Sequence, residues 1–411
     1  NMFMRLVCGV ITRIKILVIY QHYWPEPFRI HEICEDLVRR GHQVTAVVGL
    51  PDYPTGKIPR EYRLFRNRRQ MRNGVEIRRC FEIGRRNTKA GLAINYCSYM
   101  ISACWKIMFL KHDYDVVYAY NTSPVLMSVP AILYRKLYKT KVALHVLDIW
   151  PACLAAMNVR EGSWFYRWMK RVSRWIYSHA DRLLYSSRRF QTYLQMVHHI
   201  DVPNDNYLPQ FADAVFGNFP PREPSEYTEL VFAGNIGRVQ GVETLLRAAA
   251  ILKDEPVRWH ILGNGANYSA CVALAKELQL GEKVIFYGRK PIEEMPKYYA
   301  MADALLVSMR SEEYVAYTLP GKVQSYMAAG KPILGSISGE AEEIITEAKC
   351  GLCAPSDDPE AFAQIVRTYM AKDNHAQMGK NARQYYLEHF TKQGIMDRTE
   401  QILAELSGAQ Q

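Results

Sequence analysis

The sequence predicts an α/β protein of two Rossmann-like, doubly wound parallel-sheet domains with a ligand cleft between them. Three observations predict it. The chain has 411 residues, about twice the length of a common domain. Short apolar runs of strand length alternate with helical patterns in both halves of the chain. Between those halves lies a stretch without periodicity, HIDVPNDNYLPQFADAVFGNFPPREPSEY, with five prolines.

The first half opens on Ile16-Leu17-Val18-Ile19-Tyr20, a continuous apolar run expected of a parallel strand buried on both faces. Ile30, Ile33, Leu37 and Val38 recur at helical spacing, and Gly41 supplies a stop signal. Val44–Val48 then completes a βαβ unit. Further strands are expected at 75–80, 115–120, 142–147 and 181–185. Leu230-Val231-Phe232-Ala233-Gly234 opens the second series, with strands near 258–262, 284–287, 304–308 and 333–337. Helical patterns at 357–371, 375–388 and 394–407 close the chain. The expected division is a first domain over 14–207, a connection over 208–228, a second domain over 229–385 and a closing segment over 386–411 that packs back on the first. Residues 1–13 read as a short extension without the apolar core and cleavage site of a signal peptide.

Lysine and arginine outnumber the acids 52 to 41, a formal net charge of +11, so anionic partners are expected. The nine cysteines form no disulfide-like framework, and Cys350-Gly-Leu-Cys353 lacks the second pair that zinc needs; buried, reduced thiols are expected. The most apolar run, Gly91–Leu110, is interrupted by Asn95 and Lys106 and is too polar for a membrane span. Lys57, Arg60, Arg63, Arg66, Arg68, Arg69 and Arg72 crowd one expected loop beside a single acid, Glu61. Trp164, Trp168, Val172, Trp175 and Ile176 share a helical face, with Arg167, Lys170, Arg171 and Arg174 largely elsewhere. That pattern suits a helix lying on an anionic lipid interface.

The loops at expected strand ends carry the chemistry. Gly234-Asn235-Ile236-Gly237-Arg238-Val239-Gln240-Gly241 lies between a strand and a helix starting near Val242. Glycines there let backbone amides approach a phosphate at the helix N-terminus, and Arg238 is placed to pair with it. Tyr287-Gly288-Arg289, Thr318-Leu319-Pro320-Gly321-Lys322 and Gly339-Glu340 occupy further strand ends, where ligands bind in such sheets.

In this order, GNIGRVQGVETLL, FYGRKPIEEMPKYYAMADALLV, TLPGKVQSYMAAGKPIL and SGEAEEII resemble the donor half of family 4 glycosyltransferases. YQHYWPEPFRIHEICEDLVRRGHQVTAVVGLPDYPTGK and LHVLDIWP resemble the first half of the same branch, which includes colanic-acid and fucosamine-type O-antigen transferases. The resemblance implies a GT-B fold, retention of anomeric configuration, no metal or other cofactor, a nucleotide sugar donor (usually with uridine diphosphate), and an undecaprenyl-diphosphate-linked saccharide acceptor. It places the enzyme in surface polysaccharide synthesis (O-antigen, capsule or exopolysaccharide), peripheral on the cytoplasmic face of the plasma membrane.

The same resemblance assigns Asp148, Arg238 and Lys322 to catalysis. Gly234, Asn235, Gly237, Gln240, Gly288, Arg289, Thr318, Gln324, Ser325 and Glu340 fall on the donor side, and His22, Tyr23, Glu26 and Arg29 on the acceptor side. The chain departs from its relatives at three places. Asn235 and Gln240 stand where many carry an arginine and a lysine, leaving Arg238 and Lys322 as the cations. The family's paired glutamates, expected near Tyr317 and Ser325, are missing, with Glu312, Glu313 and Glu340 nearby. Leu147 replaces a frequent histidine before Asp148, and His145 reads as a core residue. A sugar-nucleotide epimerase on the same fold and a non-catalytic nucleotide-sugar scaffold are the alternatives. No nucleic-acid-binding module is present in the sequence to suit a nucleic-acid partner.

Overall fold

The computed structural model describes residues 13–53, 55–86, 88–212, 219 and 224–409. The extension over 1–12 and most of the expected connection (213–218 and 220–223) lie outside the described residues. Two compact units emerge: residues up to Leu208 together with those from Met396 onward, and Pro209–Ile395.

The first unit runs β1 (Lys15–Ile19), α1 (Ile30–Arg39), β2 (Gln43–Val48), β3 (Arg69–Arg72), β4 (Val75–Arg79), α2 (Lys89–Ile107), β5 (Val116–Asn121), α3 (Val129–Tyr138), β6 (Lys141–Val146), α4 (Trp164–Ser178), β7 (Arg182–Tyr185) and α5 (Arg188–His198). Its seven strands are ordered β3-β4-β2-β1-β5-β6-β7. Only β3 is antiparallel to its neighbour; Ile16 registers with Val44 on one side and Val116 on the other. Beyond Lys15 and Gln43 the central strands β1, β2 and β5 are buried, which is why they read as largely apolar runs.

The second unit runs β8 (Thr228–Ala233), α6 (Val242–Ile251), β9 (Val257–Leu262), α7 (Tyr268–Glu277), β10 (Val284–Gly288), α8 (Met295–Met301), β11 (Ala304–Ser308), α9 (Glu313–Ala316), α10 (Gly321–Ala328), β12 (Ile333–Ser336), α11 (Glu340–Glu347), β13 (Gly351–Ala354), α12 (Pro359–Met370) and α13 (His375–His389); α14 (Lys392–Ser407) follows. Its all-parallel sheet is ordered β10-β9-β8-β11-β12-β13. Alternate residues of β8 feed two cores, Leu230 and Phe232 one, Val231 and Ala233 the other. Strand order reverses between β1 and β5, and between β8 and β11. Those reversals open crevices at the carboxyl ends of strands, the usual ligand position in open α/β sheets.

Two strands were not legible in the chain. The expected loop over 57–72 instead ends in β3, whose polar RQMR pairs along the sheet edge, Arg69 binding Glu76 at 2.9 Å. The Cys350–Cys353 segment contains the short strand β13, and Cys350 is buried. The tryptophan face also differs from expectation. α4 buries Tyr166, Met169, Ser173, Ile176 and Tyr177, so Ile176 turns inward, while Trp164, Trp168 and Trp175 are exposed among Arg167, Arg171 and Arg174. The last helix is tied to the first unit by Arg40, which binds Asp397 at 2.6 Å and Glu400 at 2.8 Å. No described helix is long and apolar enough to cross a membrane.

Candidate functional site

In the second unit, three strand ends are laced together by backbone. Gly234 N donates to Leu262 O (3.0 Å), Gly263 N to Gly288 O (2.8 Å), and Ile236 N to Asn264 O (3.0 Å). The loops approach so closely that a Cβ on Gly263 would lie 1.7 Å from Gly234 O, and one on Gly265 2.5 Å from Ile236 O. Glycine is therefore required at both. Gly263-Asn264-Gly265 was missed in the sequence, although its place directly after the β9 run was a usable signal.

Gln240 holds the first loop in shape: its Oε1 accepts from Gly237 N at 3.0 Å and from Asn235 Nδ2 at 3.1 Å. A polar pair thus builds the loop. Arg310 closes it from below, donating to Arg238 O at 2.8 Å and to Glu243 Oε1 at 3.0 Å. Arg238 itself is exposed.

Lys322, in the first turn of α10, runs beneath Gly234. A Cβ on Gly234, whose φ is +144°, would sit 2.3 Å from Lys322 Cε. The ammonium is buried, has no hydrogen-bond partner among the described residues, and lies 3.5 Å from the centroid of the Phe232 ring. Burial pulls its pKa down to about 7. An uncompensated buried ammonium is costly, and the cation–π contact offsets only part of that.

The remaining donor-side residues separate. Gly288 (φ +68°) faces open space, with no atom within 4 Å of where a Cβ would stand, and Arg289 beside it is exposed. Thr318 is half-buried, with Oγ1 3.4 Å from Tyr314 O, and Ser325 donates to Gly321 O at 3.1 Å. Gln324 is buried and donates to Gln210 O at 2.6 Å, so its amide is committed to the chain's own backbone. Glu340 is fully buried at the start of α11, behind Gly339, whose φ is +88°.

In the first unit, the end of β1 leads into a buried acidic cluster. Glu26 Oε2 lies 3.1 Å from His22 Nδ1 and accepts from Tyr23 N at 3.2 Å; its Oε1 accepts from Asp52 N and Tyr53 N at 2.9 and 2.7 Å. Asp52 Oδ2 accepts from Arg85 N at 2.7 Å and Asn95 Nδ2 at 2.9 Å. Glu82, also buried, accepts from Gln21, Asn95 and Leu50 N at 2.8, 2.6 and 3.1 Å. Burial raises the pKa of Asp52, and that of Glu82 well above the carboxylate range. Neither Asp52 nor Glu82 was singled out from the sequence, since lone acids in loops carry no spacing signal. His22, Glu26 and Asp52 place ligand atoms within 4.8 Å of one another, but the first two are already engaged with each other and with backbone amides.

His22 stacks on Phe28 at 4.7 Å, whereas Tyr23 is buried and packs edge-on to His31. Arg29 is half-buried at the N-cap of α1. Asp148 follows β6, half-buried, and accepts from Ser123 N at 2.8 Å; burial raises its pKa. His145 is a core residue, hydrogen-bonded to Tyr118 Oη and Leu208 O, with its pKa pulled down to about 4.

Two family models match the chain: "Glycosyl transferase 4-like domain" over 28–208 and "Glycosyl transferases group 1" over 218–385. The probable glycosyltransferase WbjE of Pseudomonas aeruginosa is 29% identical over 306 residues, 70% of this chain and 74% of that protein. The putative colanic acid biosynthesis glycosyl transferase WcaI of Escherichia coli K12 is 21% identical over 93% of this chain and 98% of its own. Among solved structures, HepE from Anabaena, in complex with UDP and glucose, superposes with a TM-score of 0.68 at 16% identity, covering 95% of this chain and all of that one.

Proposed function

The chain belongs to the family 4 glycosyltransferases, and from that premise we propose that it moves a sugar from a uridine diphosphate sugar to a lipid-linked saccharide, with retention. It has the GT-B architecture, and its relatives act in polysaccharide synthesis. The observation that carries the donor reading is the Lys322 ammonium, buried and unpartnered beneath the Gly234 loop. The transition state of such a transfer resembles an oxocarbenium ion parting from a diphosphate, by analogy with glycoside hydrolysis. Lys322 and Arg238 neutralise the departing diphosphate, without a metal. A neighbour solved with UDP makes uridine diphosphate sugars the first donors to test.

Asp148 is assigned to orienting or deprotonating the acceptor hydroxyl, its raised pKa suiting proton transfer. His22 and Glu26 line the acceptor side. Exposed Trp164 and Trp168 among arginines, with the basic segment over 57–72, support attachment to an anionic cytoplasmic membrane face. The test is purified protein with a panel of uridine diphosphate sugars, a lipid-diphosphate saccharide and excess chelator. Uridine diphosphate released only with acceptor, and unaffected by chelator, supports the reading. An epimerised sugar without acceptor, or binding without release, refutes it.

A further inference from the structure

Between α2 and the β3–β4 hairpin the first unit carries a groove of about 850 Å³. That is the size of a small-molecule pocket, and the groove is open to solvent. Phe65, Phe81, Ile101, Trp105 and Phe109 line it and are exposed, Trp105 to 64% and Phe109 to 70%. An apolar concavity of this kind, left open to water, marks a binding site.

Its charge is one-sided. Arg68, Arg78, Arg79 and Lys106 line the groove, and no carboxylate does. Two of these cations are spoken for. Arg78 pairs with Glu76 at 3.0 Å, and Arg79 donates to Gly49 O and Trp24 O at 3.1 and 2.6 Å. Arg68 is different: one nitrogen donates to Cys80 O at 2.8 Å, but its buried Nε has no partner. Lys106 has no acid within ion-pair distance among the described residues.

The groove also adjoins the acceptor-side residues through covalent and hydrogen-bonded neighbours. Arg79 grips the carbonyl of Trp24, two residues before Glu26. Ser98, on the groove wall, accepts from Ile83 N at 3.0 Å, and Asn95 one turn earlier binds both Asp52 and Glu82.

We propose that this groove holds the first isoprene units of the acceptor's polyprenyl diphosphate, the chain on Ile101, Trp105 and Phe109 and the phosphate on Arg68 and Lys106. The inference rests on the lipid-linked acceptor reading above and adds where the lipid is gripped. A flat bilayer surface cannot fill a concave slot, whereas a single branched chain can. A guanidinium with one free edge buried beside apolar walls suits a phosphate that arrives with its own hydrocarbon.

The experiment is calorimetric titration of the full chain with geranylgeranyl diphosphate, beside Arg68→Ala and Ile101→Glu. Phosphatidylglycerol vesicles and UDP are titrated in parallel. The proposal expects saturable one-to-one binding that each variant weakens roughly tenfold or more, with UDP binding unchanged as proof of folding. Absence of saturable binding by the unaltered protein would overturn it. So would variants that lose vesicle binding while holding geranylgeranyl diphosphate as before, because the face would then be a plain bilayer contact. Saturable binding by a protein that transfers no sugar to a lipid-linked acceptor would leave the groove standing and sink the transferase reading.

Discussion

The crevice after β8 and the one after β1 occupy matching places in two similar sheets, yet they bury opposite charge. The first holds a lone ammonium, Lys322, with no hydrogen-bond partner and a pKa drawn down to about 7. The second holds Glu26, Asp52 and Glu82, whose oxygens accept a dense set of hydrogen bonds, Asp52 Oδ1 excepted, with proton affinity raised at Asp52 and Glu82. A buried charge left unsatisfied is poised for a ligand, while one wrapped in donors is already part of the scaffold. The same topology therefore buries an unpartnered amine in one unit and a hydrogen-bonded carboxylate cluster in the other.

The sharpest way to break that contrast is Lys322→Met. Removing a diphosphate cation used in the transition state lowers kcat/KM by about 10²–10³-fold. The fold loses nothing, since no partner is orphaned, and a thermal melt at pH 7 no lower than that of the unaltered protein checks it. A large drop in Tm would mean that Lys322 is structural.

Gly234→Ala comes next. Its φ of +144° is one that side chains rarely adopt, and the new Cβ would displace Lys322. The expected result is UDP affinity lowered by roughly tenfold, with backbone strain of about 1–3 kcal/mol seen in denaturant unfolding. Unchanged affinity would separate the loop from the ammonium.

The smallest effect is on the acidic side and falls on stability. Glu82→Ala strips Leu50 N of its acceptor and takes one acceptor each from Gln21 and Asn95, which keep others, costing about 1–3 kcal/mol; Glu82→Gln costs less. The raised pKa means the folded state binds more protons than the unfolded one above about pH 4.3. Stability therefore falls as pH rises through that window until the folded pKa is passed, and Glu82→Gln flattens the slope. An unchanged slope would show that Glu82 is not the titrating group.

Much of this was legible in the chain, and the gaps have physical causes. Buried parallel strands such as Ile16–Tyr20 announce themselves because both faces are apolar. The edge strand β3 does not, because RQMR owes its conformation to pairing with β4 alone. The glycine loop could be read, since Gly234 and Gly241 flank a strand-to-helix turn. Gln240's role could not, because a glutamine that props a loop looks like any other until its amide is placed. Likewise the helix of Trp164 and Trp175 showed its periodicity but not which stripe faces inward, as Ile176 illustrates.

The central claim is that Lys322 receives the donor diphosphate, and proton uptake tests it most directly. With a pKa of about 7 when empty, the amine is mostly neutral at pH 8, and a diphosphate beside it restores the ammonium. Titrating UDP into the protein at pH 8, in buffers of different ionisation enthalpy, should show close to one proton taken up per UDP. Lys322→Met should show none. Equal uptake by both proteins, or none by the unaltered one, would contradict the account.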